Sequence, residues 1–207
     1  AWGYNGYGQV SDNTTVDKSS PVQLVSKNIN FPVPYYYRTN TLLLSYSGTI
    51  STSSPVQVGS ISYTQIDAGA NHVIAKDNTG LLYAWGLNIN GQVGDGTTIN
   101  KNSPVQISSS SFTNVSAGAN HTIIKKADGS IYSFGNNSNG QLGDGTTVQR
   151  SSPVQVGYSS WATVSCSVCH TMALRSDRTA WGWGSNVNGP LGTNSTTNAS
   201  SPVQIGT

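Results

Sequence analysis

The chain has 207 residues and a formal net charge of +2, and 95 of its residues are glycine, serine, threonine or asparagine. All eight acidic residues are Asp, Glu is absent and Met occurs once, so the usual builders of surface helices are nearly missing and a mainly helical fold is excluded. The ten basic residues are scattered, with no run longer than Lys125-Lys126, which argues against nucleic-acid binding through a basic stripe. In chain order, residues 1–21 form the C-terminal part of a repeating unit, residues 22–55 a shortened unit, and residues 56–104, 105–153 and 154–207 three full ones.

The repeat is plain in the aligned segments AWGLNINGQVGDGTTINKNSPVQ from Ala84 and SFGNNSNGQLGDGTTVQRSSPVQ from Ser133. GWGSNVNGPLGTNSTTNASSPVQ from Gly182 and AWGYNGYGQVSDNTTVDKSSPVQ at the start of the chain complete the set. Pro55, Pro104, Pro153 and Pro202 fall at a constant period of 49 residues, as do Tyr63, Phe112 and Trp161, and His72, His121 and His170. Within one unit FTNVSAG alternates, HTIIKK and SIYSFG have strand composition, and Ala127-Asp128-Gly129 supplies a hairpin turn. A long NNSNGQLGDGTT connection then leads to a short strand at PVQV, whose first residue, Pro, suits a sheet edge.

Four short strands cannot bury both faces of their sheet alone, so such units stack, and small antiparallel sheets commonly pack radially as propeller blades. The expected fold is all-β: a partial arc of about four four-stranded blades. Tyr63, Phe112 and Trp161, with Trp85, Phe134 and Trp183, are expected to fill the space between blades.

The shortened unit keeps NTLLLSYSGTI in register with HTIIKKADGSI but lacks about 17 residues of the WG…NGQLGDGTT connection. It places Tyr37 where Gly69 stands and Asn40 where His72 stands. Its row Tyr35, Tyr36, Tyr37 and Arg38 has the composition of a binding hot spot, or else fills the space vacated by the missing loop. Because the chain begins in mid-unit, further blades of a longer polypeptide or of neighbouring copies are expected to complete the arc. No apolar stretch approaches the roughly 18–20 residues of a membrane span, so membrane insertion is not expected.

Cys166-Ser167-Val168-Cys169-His170 formally matches the C-x-x-C-H haem signature. The repeat accounts for it position by position, since Cys166 replaces Ala68 and Ala117 and Cys169 replaces Asn71 and Asn120. Two small buried hydrophobes, a local disulfide and a haem attachment are the three readings, in falling order. The three evenly spaced histidines are expected to be structural, bonding backbone groups of a turn rather than converging on a metal. Asp95 and Asp144 suit an Asx turn better than a calcium loop, and Gly91, Gly94 and Gly96 suit positive φ in the same turn. No catalytic residue, cofactor site or metal site is assigned.

The motifs VSAGANHTIIKKADGSIYSFGNNSNGQLGDGTT, IDAGANHVIAKDNTGLLYAWGLNINGQVGDGTT and VSCSVCHTMALRSDRTAWGWGSNVNGPLG resemble the repeats of the regulator of chromosome condensation type. The resemblance covers essentially the whole chain and implies a seven-bladed β-propeller. It also implies a rigid disc whose loops grip another protein, and bacterial and phage surface members look closest in style; with no Glu and no Ser, His and acid grouping apart from the repeat, enzymatic activity is not expected. The expectation is a protein-interaction, adhesion or structural scaffold on a cell or virion surface, with a guanine-nucleotide exchange module inside the cell as the alternative. Besides the tyrosine row, the expected partner contacts are the NxNG tips: Leu87, Asn88, Asn136, Asn137, Asn186 and Val187.

Overall fold

Residues 57–58 and 60–206 are described by the computed structural model, and the tyrosine row Tyr35–Arg38 and units 1–21 and 22–55 lie outside them. Among the described residues the chain forms three four-stranded antiparallel sheets. The first blade is β1 (Tyr63–Ala68), β2 (His72–Asp77), β3 (Leu82–Gly86) and β4 (Lys101–Gln106), hydrogen-bonded in that order. The second is β5 (Asn114–Ala117), β6 (His121–Lys125), β7 (Ile131–Gly135) and β8 (Arg150–Gln155), and the third is β9 (Trp161–Cys166), β10 (His170–Arg175), β11 (Ala180–Gly184) and β12 (Ala199–Ile205). Sequential order within each sheet is what short connections and up-and-down pairing produce.

The hairpin between the second and third strands is set by one carboxylate. Asp77 Oδ1 accepts from Thr79 N–H at 2.8 Å, Thr79 O–H at 2.7 Å and Leu81 N–H at 3.0 Å, and Gly80 takes φ +89°. Asp128 and Asp177 repeat the device, with Arg178 at φ +72° where the other turns have glycine.

The proline of the fourth strand sits inside the strand and not at its start. Gly86 pairs with Lys101 and Ala84 with Val105, so two residues of β3 span four of β4, and Pro104 falls within this bulge. The same shift recurs at Pro153 and Pro202. A bulge on an edge strand is where a missing N–H breaks no ladder bond, which lets the strand start three residues earlier and run past the expected boundary at Pro104.

Two cores occupy the seams. Ile74, Leu82, Ala84 and Val93 of the first blade pack on Phe112, Val115, Ile124 and Phe134 of the second. Ile123, Ile131 and Val156 of the second pack on Trp161, Val164, Ala173 and Trp183 of the third. The paired aromatics thus come from the later blade of each pair and wedge against the earlier one, with Trp161 and Trp183 centroids 5.5 Å apart. Tyr63 and Trp85 of the first blade are half-buried.

Candidate functional site

Each histidine at the head of a second strand was expected to bond backbone groups of a turn; His72 and His121 bond a threonine side chain of the next blade instead. His72 Nε2 lies 2.8 Å from Thr122 Oγ1, which donates its proton to the Gln92 carbonyl at 2.9 Å. Having spent its proton, Thr122 accepts from His72, which fixes the Nε2–H tautomer of a neutral ring. His121, Thr171 and the Gln141 carbonyl repeat the relay at 3.2 and 3.0 Å. The third member of each relay belongs to a loop of the histidine's own blade, so the chain of bonds runs from blade to neighbour and back. Burial pushes His72 down to about 4, against a small upward pull from Asp67, and pushes His121 down to about 3, with the other two histidines adding to the shift.

The long connection from third to fourth strand is a clasp on the next blade. In the first blade, Asn88 sits fully buried at its centre. Asn88 Nδ2 donates to Asp95 Oδ1, the Thr97 carbonyl and the Ile99 carbonyl at 3.0–3.1 Å, and its Oδ1 accepts Val93 N–H at 2.9 Å. Val93 is thereby turned into the seam core. Asn137 makes the corresponding bonds in the second blade, seating Leu142. Asp95 closes the loop on Thr97 and pairs with Lys101 at 2.7 Å; Asp144 does so with Thr146 and with Arg150 at 2.8 Å. Burial pulls the Asp95 carboxyl upward, but bonds from Lys101, Thr97 and Asn88 outweigh it and hold the group at about 2.

Glycines make the close approach possible. Gly91, Gly94 and Gly96 take φ of +81°, +80° and +84°. A Cβ on Gly94 would stand 2.6 Å from the Phe134 ring, and one on Gly91 2.5 Å from Ser151 Cα in β8. Gly96 N–H then donates to the Ser151 carbonyl at 2.8 Å, and Gly145 N–H to the Ser200 carbonyl of β12 at 2.9 Å. The loops of the first and second blades therefore each add a bond to the outer edge strand of the following blade.

This geometry corrects part of the site expected from sequence. Asn88, Asn137 and Asn186 are fully buried loop frame and not partner contacts, because every polar atom of the amide is used inside the loop. Leu87 and Asn136 are half-buried, and Val187 is exposed at 63%. The exposed apolar residues of these loops are Ile89 (59%), Ile99 (68%), Val148 (57%) and Val187. Ile89 and Val187 are equivalent positions, as are Ile99 and Val148. The sequence carried the signal: Asn5, Asn88, Asn137 and Asn186 never vary between copies, whereas the residues that follow them, Gly6, Ile89, Ser138 and Val187, do.

Cys166 and Cys169 are both free thiols, so the local disulfide is not formed. Cys166 N–H donates to Ser116 Oγ at 3.0 Å and its Sγ to the Ser116 carbonyl at 3.4 Å, just as Ala117 N–H donates to Asp67 Oδ2 at 2.9 Å one blade earlier. Burial pushes this thiol up to about 12, which favours its protonated form in the seam.

Two models of one repeat, the regulator of chromosome condensation (RCC1) repeat, match the chain. One covers residues 79–124 and 128–174, the other residues 63–92, 112–141 and 161–189. Among solved structures, human WBSCR16 is similar at TM-score 0.66 and 20% identity, over 77% of this chain and 43% of that one. Yeast RCC1 (Prp20), solved with Kap60, is similar at TM-score 0.63 and 21% identity, over 70% and 37%. Prp20p from Saccharomyces cerevisiae, described with its binding to Gsp1p and histones, gives 0.62 and 22% over 70% and 38%. The chain thus spans about two fifths of the length of these structures, and at such identity the likeness carries the fold.

Proposed function

Since the chain belongs to the RCC1 repeat family, we propose that it is a non-enzymatic protein-docking module on the outer surface of a cell or virion, meeting its partner through the tips of its clasp loops. The observation that carries this reading is the placing of Ile89, Ile99, Val148 and Val187. Single exposed aliphatics are ordinary, but these stand at corresponding places on loops whose polar groups are already satisfied internally. A loop so tied gives up little conformational entropy on docking, and burying an aliphatic side chain contributes about 1.5–3 kcal/mol. Scarce charge and abundant Ser, Thr, Asn and Gly support the extracellular setting.

The test is co-purification of the full-length protein from its source with and without serine at all four positions. Loss of a specific partner from the quadruple variant, with unfolding unchanged, is the expected result; identical recovery by both proteins contradicts it. Protease treatment of intact cells or particles checks the location, with cleavage expected. Acceleration of nucleotide release from a small GTPase would favour the intracellular exchange reading instead.

A further inference from the structure

The two ends of each sheet differ in charge. His72 pairs with Gly86, after which the clasp loop starts, so the hairpin between second and third strands lies at the opposite end of the sheet. At the clasp ends Lys101 and Arg150 are neutralised by Asp95 and Asp144. The hairpin ends gather Lys76, Lys125, Lys126, Arg175 and Arg178, basic residues dispersed along the sequence that the repeat brings to one side. The three turn aspartates offset them in part, and each directs a carboxylate oxygen into its own turn, onto Thr79, Ser130 or Thr179. Two of the cations are fixed by aromatic rings. Lys126 Nζ stands 4.8 Å from the Tyr132 centroid and 5.5 Å from that of Phe112; in the equivalent place Arg175 Cζ stands 3.8 Å from the Trp181 centroid and 5.5 Å from that of Trp161. Among the described residues the ion pairs are those of Lys101 and Arg150, so both stacked cations keep their charge. Arg175 Nη2 donates to Ser159 Oγ at 2.6 Å, and its Nε has no partner. Next to Ser159 stands Tyr158, 99% exposed, where the other copies have Ser109 and Ser60. Arg175, Trp161 and Tyr158 lie at the seam between the second and third blades, which described strands bound on both sides.

We propose that the hairpin ends of the second and third blades bind an acidic polysaccharide, Lys126 and Arg175 meeting its carboxylates and Tyr158 stacking on a sugar ring. The mixture of groups selects this partner. Five basic residues against three aspartates carry too little charge to hold a nucleic acid at cellular salt, and the Tyr132 and Trp181 rings already bear a cation and are not free for bases. A sparsely charged glycan needs only a few cations, and a guanidinium held flat on a ring presents its fork to a carboxylate at little entropic cost. The connections that cross this end read ISSSSF and YSSW, and their hydroxyls suit a sugar's own. An aromatic ring left wholly in water offers an apolar face for the C–H groups of a pyranose. This surface lies at the opposite end of the sheets from the clasp tips and is independent of them.

Titration calorimetry of the full-length protein with polygalacturonate tests this, with neutral dextran, polyglutamate and duplex DNA as comparison polymers. Tyr158→Ser and Lys126→Asp install residue types that the repeat itself carries at those places, at Ser109 and Asp77, so both variants are expected to unfold as the parent does. Polygalacturonate should bind, dextran should not, and each variant should weaken binding about tenfold. Absence of polygalacturonate binding, equal binding of dextran, or an affinity that either variant leaves unchanged overturns the proposal. Tighter binding of polyglutamate or DNA overturns it as well, since the partner would then be an acidic protein segment or a nucleic acid.

Discussion

In the loops of the first and second blades a buried asparagine, an Asp–cation pair and a glutamine turn, in which Gln92 or Gln141 Oε1 accepts the N–H of Asn90 or Asn139 at 2.9 Å, act together, and a glycine N–H reaches the next blade. The third loop keeps the asparagine, Asn186, and the buried anchor, Leu191, but has Thr193 for the aspartate, Pro190 for the glutamine and Asn194 for the glycine. Its path is nevertheless the same. The difference teaches that the asparagine hub and the apolar anchor define the loop's path, while the ion pair and the glutamine turn add further bonds to it in the first and second blades.

The largest separation between the loops is expected at their middle glycine. A Cβ on Gly143 would press on Trp183 at 2.7 Å with φ +72°, whereas one on Gly192 would stand 3.3 Å from the Ile205 side chain. Left-handed strain and overpacking together should make Gly143→Ala cost about 4 kcal/mol, while Gly192→Ala should cost about 2. Urea unfolding of the two variants measures this, and equal losses would break the comparison. Next comes the hub. Asn137→Ala removes bonds to Asp144, Thr146, Val148 and Leu142 and should cost about 3 kcal/mol, with Asn186→Ala smaller because its amide makes fewer bonds.

Acid sharpens the contrast between covered and less covered seams. His72 and His121 are held below the ordinary histidine value of 6.5 in the fold, so the unfolded chain takes up protons first. Stability is therefore full well above pH 6.5 and declines as pH falls through 6.5 toward about 4 for His72 and about 3 for His121, with the carboxylates adding to the loss below pH 4. Unfolding curves between pH 7 and 4.5 should show the decline, and His121→Gln should flatten it. Smaller still, Asp144→Asn should cost about 1 kcal/mol, because the partly exposed Arg150 is screened by water.

Much of the fold was legible because one period fixed several levels at once. The strands expected at HTIIKK and SIYSFG appear as His121–Lys125 and Ile131–Gly135, and four of the six phased aromatics, Phe112, Phe134, Trp161 and Trp183, lie in the two described seams. The fourth strand was misplaced by three residues because proline was taken to start it, when a bulge lets an edge strand carry proline in its interior. Asn88, Asn137 and Asn186 were mistaken for contacts because loop asparagine is usually solvated, whereas only tertiary context shows that one such residue is the buried hub. The His–Thr relay was hidden for the same reason, since its partners are 50 residues apart and meet only when blades stack.

The central claim is that the long loops of the first and second blades grip the outer strand of the next blade through a glycine N–H. Residue-resolved amide exchange tests it most directly. Gly96 and Gly145 should be protected at least about a hundredfold relative to free peptide, as hydrogen-bonded amides in a packed seam are. Exchange of both at free-peptide rates, in protein whose β6 and β10 amides remain protected, would contradict the account.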